Sequence, residues 1–367
     1  MKIVFDCRYT RLGRHDGISR YGARLVEELA RLHPVTMLIS DERQLTMLPQ
    51  LPWILGPDPT AATEPWVSRW VNPHEPDVVF TPMQTIGPGG RRYALVTTVH
   101  DLIYYRHRTP PRDLNVALRL LWRAYHLWVG FQRAVLNRAD AHLVDSETTR
   151  DLMMRYRMTR NPMHVVLLGT EHPDVAPDRH QPPTRDLVYM GSFMLYKNVD
   201  LLVRSLSSLP GYRLRLMSRI GDAERARLEG LAPAGAIEFF NGATDEQYQD
   251  ALRSAFALVS ASRDEGFGLP VVEGQAVGTP AVLADTEIFR EIGGEAAGFF
   301  DPDSVDSFVR AVRELEDPAE WRRRSVASVV WSQRYSWPDA ARQLLQVLEE
   351  AVERRSSGAS RRRGATP

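Results

Sequence analysis

Two acidic side chains stand close together in the stretch SRDEGFGLPVVEG, residues 262–274. Glu265 and Glu273 are separated by seven residues that include Gly266, Phe267, Gly268, Leu269 and Pro270. The apolar run 256–260 before them reads as a buried strand, and Pro270 suits the first turn of a helix. The loop would then lie at the C-terminal end of a parallel strand, where open α/β sheets bind ligands. Glycines let a ligand come close to the backbone, and the free amides of a helix start attract anions, phosphates above all. Two carboxylates beside a phosphate would repel it unless they face neutral hydroxyls. A carboxylate accepts two hydrogen bonds, and a vicinal diol donates two. The expected ligand is a phosphate bridging two polyols, the description of a nucleotide sugar.

Other residues offer charge or close approach. The basic residues are almost all arginine, and Lys2 and Lys197 are the lysines, which singles out Lys197. His100 ends the apolar run ALVTTV, at another C-terminal strand edge. Its ordinary reading is a satisfied histidine beside Asp101. Gly17 lies in GRHDGISRYG, whose glycine spacing does not match the GxGxxG of a dinucleotide fold. Asp301-Pro302-Asp303 has the spelling of a metal motif but reads as a turn before a helix, with Asp303 part of the helix-start signal. With a single cysteine, Cys7, a cysteine metal cage is excluded, and no metal or other cofactor is expected. A glycosidase acid/base pair fits Glu265 and Glu273 less well than diol binding does, because one of the two belongs to a helix behind a nucleotide-shaped loop.

The elements that must position these residues alternate along the chain. Strands are expected at 2–6, 36–39, 77–80, 94–99, 141–144, 164–168, 187–189, 213–217, 237–240, 257–260 and 281–284. Helical patterns fall at 18–32, 113–137, 147–156, 199–207, 223–229, 245–253, 271–277 and 305–315. Most strands are continuous Val/Ile/Leu runs, as burial on both faces requires. Such alternation implies parallel sheets with right-handed crossovers, an α/β chain. The proline-rich run 170–183 reads as a linker between a first domain, 1–169, and a second, 184–337. A helix over about 338–355 would cross back to the first domain, and 356–367 reads as a disordered tail. The 367 residues carry 46 basic and 46 acidic side chains, so no global electrostatic case for nucleic acid exists. No signal peptide and no membrane-spanning apolar run is read, and the expectation is a soluble, cytoplasmic protein.

EGFGLPVVEG resembles the EX7E signature of retaining glycosyltransferases of family 4, which have the GT-B fold. AVGTPAVLADTEIFREIGG, VTTVHDL, HLVDSETTRDL and VYMGSFMLYKNVDLLVRSL are similar to further segments of that family, so the resemblance covers nearly the whole chain. It implies two Rossmann-like domains whose parallel sheets face each other across a cleft. It implies that Glu273 holds the donor ribose, Glu265 the transferred sugar, and the amides around Gly266, Phe267, Gly268 and Leu269 the sugar and diphosphate. Lys197 would pair with the diphosphate, Gly17 would let it lie close to the first loop, and His100 would stand near sugar and acceptor. The family usually has an arginine where this chain has Ser192, in Gly191-Ser192-Phe193. The Ser192 hydroxyl or Arg219, after the next strand, is a candidate replacement. The activity implied is metal-independent transfer of a hexose, with retention, from a UDP- or GDP-sugar to a saccharide, lipid-linked glycan or small acceptor. A catalytically silent sugar-nucleotide binder, an epimerase and a phosphorylase-like enzyme are the alternatives on this fold. Residues 113–137 combine an apolar face with Arg112, Arg119 and Arg123 nearly opposite, a pattern that suits a core-packed helix or a peripheral membrane contact.

Overall fold

The structure, a computed structural model, describes residues 1–108, 119, 129–173 and 184–363. It divides into two units, Met1–Gly169 with Ser336–Pro367, and Thr170–Tyr335. Each is an α/β unit built on a Rossmann-like parallel sheet.

The first unit holds β1 (Ile3–Asp6), β2 (Val35–Ile39), β3 (Trp53–Leu55), β4 (Val78–Thr81), β5 (Ala94–Val99), β6 (Ala141–Val144) and β7 (Met163–Val165). Their order is β3-β2-β1-β4-β5-β6-β7, and every pairing is parallel. β1, β4, β5 and β6 are buried along their whole length, which is why they read as unbroken apolar runs. The helix Gly17–Leu32 begins where the Asp16 side chain accepts a hydrogen bond from the Ser19 amide. It ends at His33, which precedes Pro34 and is extended, as a residue before proline prefers. The terminal helix, Trp337–Arg363, packs on that helix and on β4 and β5.

The second unit holds β8 (Asp186–Tyr189), β9 (Arg213–Leu216), β10 (Ile237–Phe239), β11 (Ala257–Ser260), β12 (Ala281–Ala284) and β13 (Gly298–Phe300). Their order is β10-β9-β8-β11-β12-β13, again all parallel. Counted from β8, this is the 3-2-1-4-5-6 order of nucleotide-binding sheets, with the direction of winding reversing between β8 and β11. The helix Pro318–Ser332 packs against the helix Leu269–Ala276. Its fully buried Trp321 donates an indole hydrogen bond to the Phe256 carbonyl just before β11.

Several expectations change. β3 and β13 are not among the strands expected from sequence. The terminal helix does not stop near 355 but runs through the expected tail to Arg363. Residues 356 and onward have no proline before Pro367, and Ser356 and Ser357 direct their hydroxyls to carbonyls one turn back, at Val352 and Glu353. Of the helix expected over 113–137, Gly130–Leu136 is described as helix, and most of the rest, like 174–183 of the linker, lies outside the described residues.

Candidate functional site

In the second unit, the loops after β8 and β11 flank the point where the sheet reverses its winding, the place where open α/β sheets form a ligand crevice. The loop after β8 leads through a short turn, Leu195–Lys197, to Asn198, whose left-handed φ of 52° admits the helix Val199–Ser205. The loop after β11 carries Arg263, Glu265 and Gly268. The two are stitched together: the Arg263 amide donates to the Tyr196 carbonyl at 2.8 Å, and Lys197 Nζ donates to Glu265 Oε1 at 2.5 Å. Those two side chains are only 13% and 16% exposed. The loop after β13 joins them, because the Pro302 carbonyl accepts from Asn198 Nδ2 at 2.8 Å and Arg263 Nη2 at 3.2 Å. Asp303, read as a helix-start residue, pairs with Arg263 at 2.6 Å, while Ser304 caps the helix that follows.

Gly268 has φ +107°, a backbone that side chains rarely adopt, and it caps the helix Leu269–Ala276. It offers no capping side chain; Pro270 has no N–H and the Val271 N–H bonds the Gly268 carbonyl at 2.8 Å, so Leu269 carries the helix-start amide that an anion could take. The cap moves the helix start ahead of Pro270, so Glu273 falls in the second turn and not, as expected, in the first. Glu273 is half-buried there. The Phe267 ring is buried edge-on against Tyr335, at 5.6 Å between centroids, which leaves its backbone as the part a ligand could use.

Gly191 and Ser192 follow β8. The Gly191 amide donates to Ser218 Oγ at 3.0 Å, and Tyr189 Oη donates to the Ser192 carbonyl at 2.7 Å. Burial, then the charge of Glu265, pushes the Tyr189 phenol well above its ordinary range, so its O–H remains a donor. Arg219 stands beside Ser218, exposed and with no partner among the described residues. Beneath the loops is a cavity of about 20 Å³ lined by Met190, Ser260, Glu265, Gly268, Val271 and Phe289. A larger hollow of about 610 Å³ lies by Asp186, Arg213 and Ala236, where β8 and β9 begin. It is at the wrong end of the strands for a ligand crevice, and its size does not outweigh that.

In the first unit, three neighbouring strands end together: β4 before Pro82, β5 before His100 and β6 before Asp145. His100 Nδ1 lies 2.5 Å from Asp145 Oδ2, and Nε2 lies 2.7 Å from the Pro82 carbonyl oxygen. Burial alone would lower its pKa, but the Asp145 charge and hydrogen bond and the Pro82 carbonyl outweigh that and raise it to about 9. Tyr21 packs edge-on against the imidazole, 5.1 Å between centroids. The carboxylate bonded to His100 is Asp145, at the end of the neighbouring strand, and not the adjacent Asp101 that the sequence suggests. A signal was present in HLVDSE, an acid at the end of the neighbouring strand, but strand adjacency was needed to use it.

Gly17 opens its helix, and a Cβ built there meets nothing within 4 Å. Neither packing nor backbone shape demands glycine at that position. Sequence reasoning also missed Arg8. Its guanidinium binds Asp6 through Nε at 2.8 Å and Nη2 at 3.0 Å, Glu64 at 2.5 and 3.1 Å, and the Pro57 carbonyl at 3.1 Å. All five donors are spent, so Arg8 is a clamp that ties the loops at the end of β1 and offers nothing to a ligand.

Two Rossmann-like units, the second with its charged loops at the switch point, define a protein of the GT-B class. A family model described as Glycosyltransferase Family 4 matches residues 15–172, and one described as Glycosyl transferases group 1 matches residues 175–327. The two take in most of the chain, which belongs to the family-4 type of glycosyltransferases. Among its relatives is an MMP alpha-(1->4)-mannosyltransferase of Mycolicibacterium hassiacum, 28% identical over 71% of this chain and 66% of that one. Another is a D-inositol 3-phosphate glycosyltransferase 1 of Catenulispora acidiphila, 26% identical over 60% of each. The matches thus span less than two thirds of either relative. The crystal structure of Anabaena Alr3699/HepE in complex with UDP and glucose has the same fold, with a TM-score of 0.70 at 16% identity, covering 95% of this chain and 100% of that one. Among the described residues, no helix is long and apolar enough to cross a membrane.

Proposed function

We propose that this chain transfers a hexose of the mannose or glucose type from a UDP- or GDP-sugar to a saccharide, lipid-linked glycan or small acceptor, with retention and without a metal in the chemistry. The observation that supports this most is the meeting of Lys197, Glu265 and the Gly268-capped helix start at the β8/β11 switch point. The relatives add support, one named as a mannosyltransferase, and a protein of the same fold is known with UDP and glucose. The reading places the work in the cytoplasm, with the inner membrane face as a peripheral contact.

In this reading the amides of Gly266 to Leu269, the Ser192 hydroxyl and Lys197 receive the diphosphate. Glu273 takes the ribose hydroxyls and Glu265 those of the hexose. Gly17 and His100 are ligand-facing residues of the first unit. Breaking the anomeric C–O bond builds positive charge on the sugar and negative charge on the leaving diphosphate. Lys197 and the aligned amides stabilise the latter. A leaving phosphate oxygen can take the acceptor proton on the same face, so no protein nucleophile is assigned.

The test is release of nucleoside diphosphate from UDP-glucose and GDP-mannose against a broad acceptor panel, with and without EDTA. Release that depends on acceptor, survives EDTA and yields an α-linked product is expected. Binding without turnover across the panel would mean a silent sugar-nucleotide binder, and release of a sugar phosphate would mean phosphorylase chemistry. Lys197→Ala should lower kcat more than donor affinity, because the charge it meets grows in the transition state; equal losses in both would remove it from that role.

A further inference from the structure

The reading above gives Lys197 and Glu265 to different parts of one ligand, yet in the structure they bind each other. Lys197 Nζ and Glu265 Oε1 are 2.5 Å apart, both side chains mostly withdrawn from water. This is not a chance meeting of long surface chains. The Arg263 amide bond to the Tyr196 carbonyl fixes the residue before Lys197 against the loop that carries Glu265. The Pro302 carbonyl holds Asn198, the residue after Lys197, and Arg263 as well. Arg263, the other cation on the loop, is taken by Asp303, and the Tyr196 ring lies 5.3 Å from Nζ.

We propose that the Lys197–Glu265 pair is a latch that discriminates a nucleotide sugar from the bare nucleoside diphosphate. The inference rests on the donor reading of this site. A diphosphate that draws Lys197 to itself strips Glu265 of its cation and leaves a carboxylate beside phosphate oxygens, a repulsive and poorly solvated arrangement. A whole donor brings sugar hydroxyls, which donate to the released carboxylate and compensate it. Once transfer has taken the hexose away, Lys197 is again the partner within reach of Glu265 among the described residues. The pair closes again and weakens the hold on the spent diphosphate. Glu265 is thereby a specificity residue for the presence of the sugar and an aid to product release, as well as a sugar ligand.

The experiment compares the full chain with its Glu265→Gln variant. Dissociation constants are measured for UDP, GDP, UDP-glucose and GDP-mannose by calorimetry at low salt. Glu265→Gln should bind the preferred bare diphosphate about tenfold more tightly, as expected for removing a competing close charge. It should bind the matching nucleotide sugar no more tightly than wild type. Glu265→Asp, which keeps the charge but shortens its reach, should fall between. Unchanged or weaker diphosphate binding in Glu265→Gln would overturn the latch and leave the donor reading standing. Absence of binding for all four nucleotides in both proteins would overturn the two together.

A second readout needs no nucleotide. Lys2 and Lys197 are the lysines of the chain, and Lys2 is exposed, so it serves as the reference in trace acetylation read by peptide mass spectrometry. Lys197 should react several-fold more slowly than Lys2 in wild type and speed up in Glu265→Gln. Equal Lys197 rates in the two proteins would show that the pair does not hold, and would overturn the latch.

Discussion

Both ring nitrogens of His100 face oxygens that accept: the Asp145 carboxylate at 2.5 Å and the Pro82 carbonyl at 2.7 Å. An imidazole so placed keeps both protons, and it cannot take another from an acceptor hydroxyl. In the proposed reading His100 would contribute charge and shape, and its two engaged ring nitrogens leave it no general-base role. Asp145→Asn removes the carboxylate that outweighs burial, so the His100 pKa should drop from about 9 to the neutral range or lower. Titration of the imidazole ¹⁵N resonances reads this directly, and the pH-dependent limb of diphosphate release that His100 sets should move from about pH 9 toward neutral. An unchanged titration would refute the assignment. Glu273→Ala tests the neighbouring residue claim. Losing a carboxylate that accepts from ribose hydroxyls should weaken the bare nucleoside diphosphate by about tenfold or more, on the scale of charged hydrogen bonds. Wild-type affinity in that variant would take Glu273 out of the ribose contact.

The element that carries the site is the turn between β11 and the helix Leu269–Ala276. Gly268→Ala puts a Cβ 3.5 Å from the Phe289 ring, ordinary contact, so its penalty comes from φ +107° and not from a clash. That strain is about 1–2 kcal/mol, and the turn should relax and withdraw the helix amides. A modest fall in melting temperature with a larger fall in nucleotide binding is expected; binding that tracks stability alone would count against the cap as an anion site. The turn was legible in sequence because an apolar strand, two glycines and a proline are local signals. The helix start was not, because Pro270 signals a first turn without saying whether it is the first or second residue. β3 and β13 also escaped notice, although β7 and β10, equally short, overlap expected strands.

At the scale of the molecule, two histidines of the first unit oppose each other in pH. Burial pulls His142, bonded to Thr97 Oγ1 at 2.8 Å, down to about 4. As pH falls below 6.5, the unfolded chain takes up a proton that folded His142 refuses, so stability declines toward pH 4. His100 runs the other way: as pH rises above 6.5, the unfolded chain loses a proton that folded His100 keeps, and stability declines toward pH 9. Urea midpoints of the first unit should peak near pH 6.5. His142→Gln should flatten the acid limb and Asp145→Asn the alkaline one, while midpoints with unaltered pH dependence in both would dismiss the linkage.

Two α/β halves, and a carboxylate-bearing loop at the end of a strand in the second, follow from the chain read by itself. Continuous apolar runs and glycine-proline punctuation are properties of neighbouring residues. Which charges meet was decided by the tertiary structure alone. Lys197 and Glu265 are 68 positions apart, and His100 and Asp145 are 45. What joins each pair is the order in which crossover helices return strands to the sheet, placing β8 beside β11 and β5 beside β6. That order is a packing outcome of the whole unit, and no local stretch of sequence encodes it.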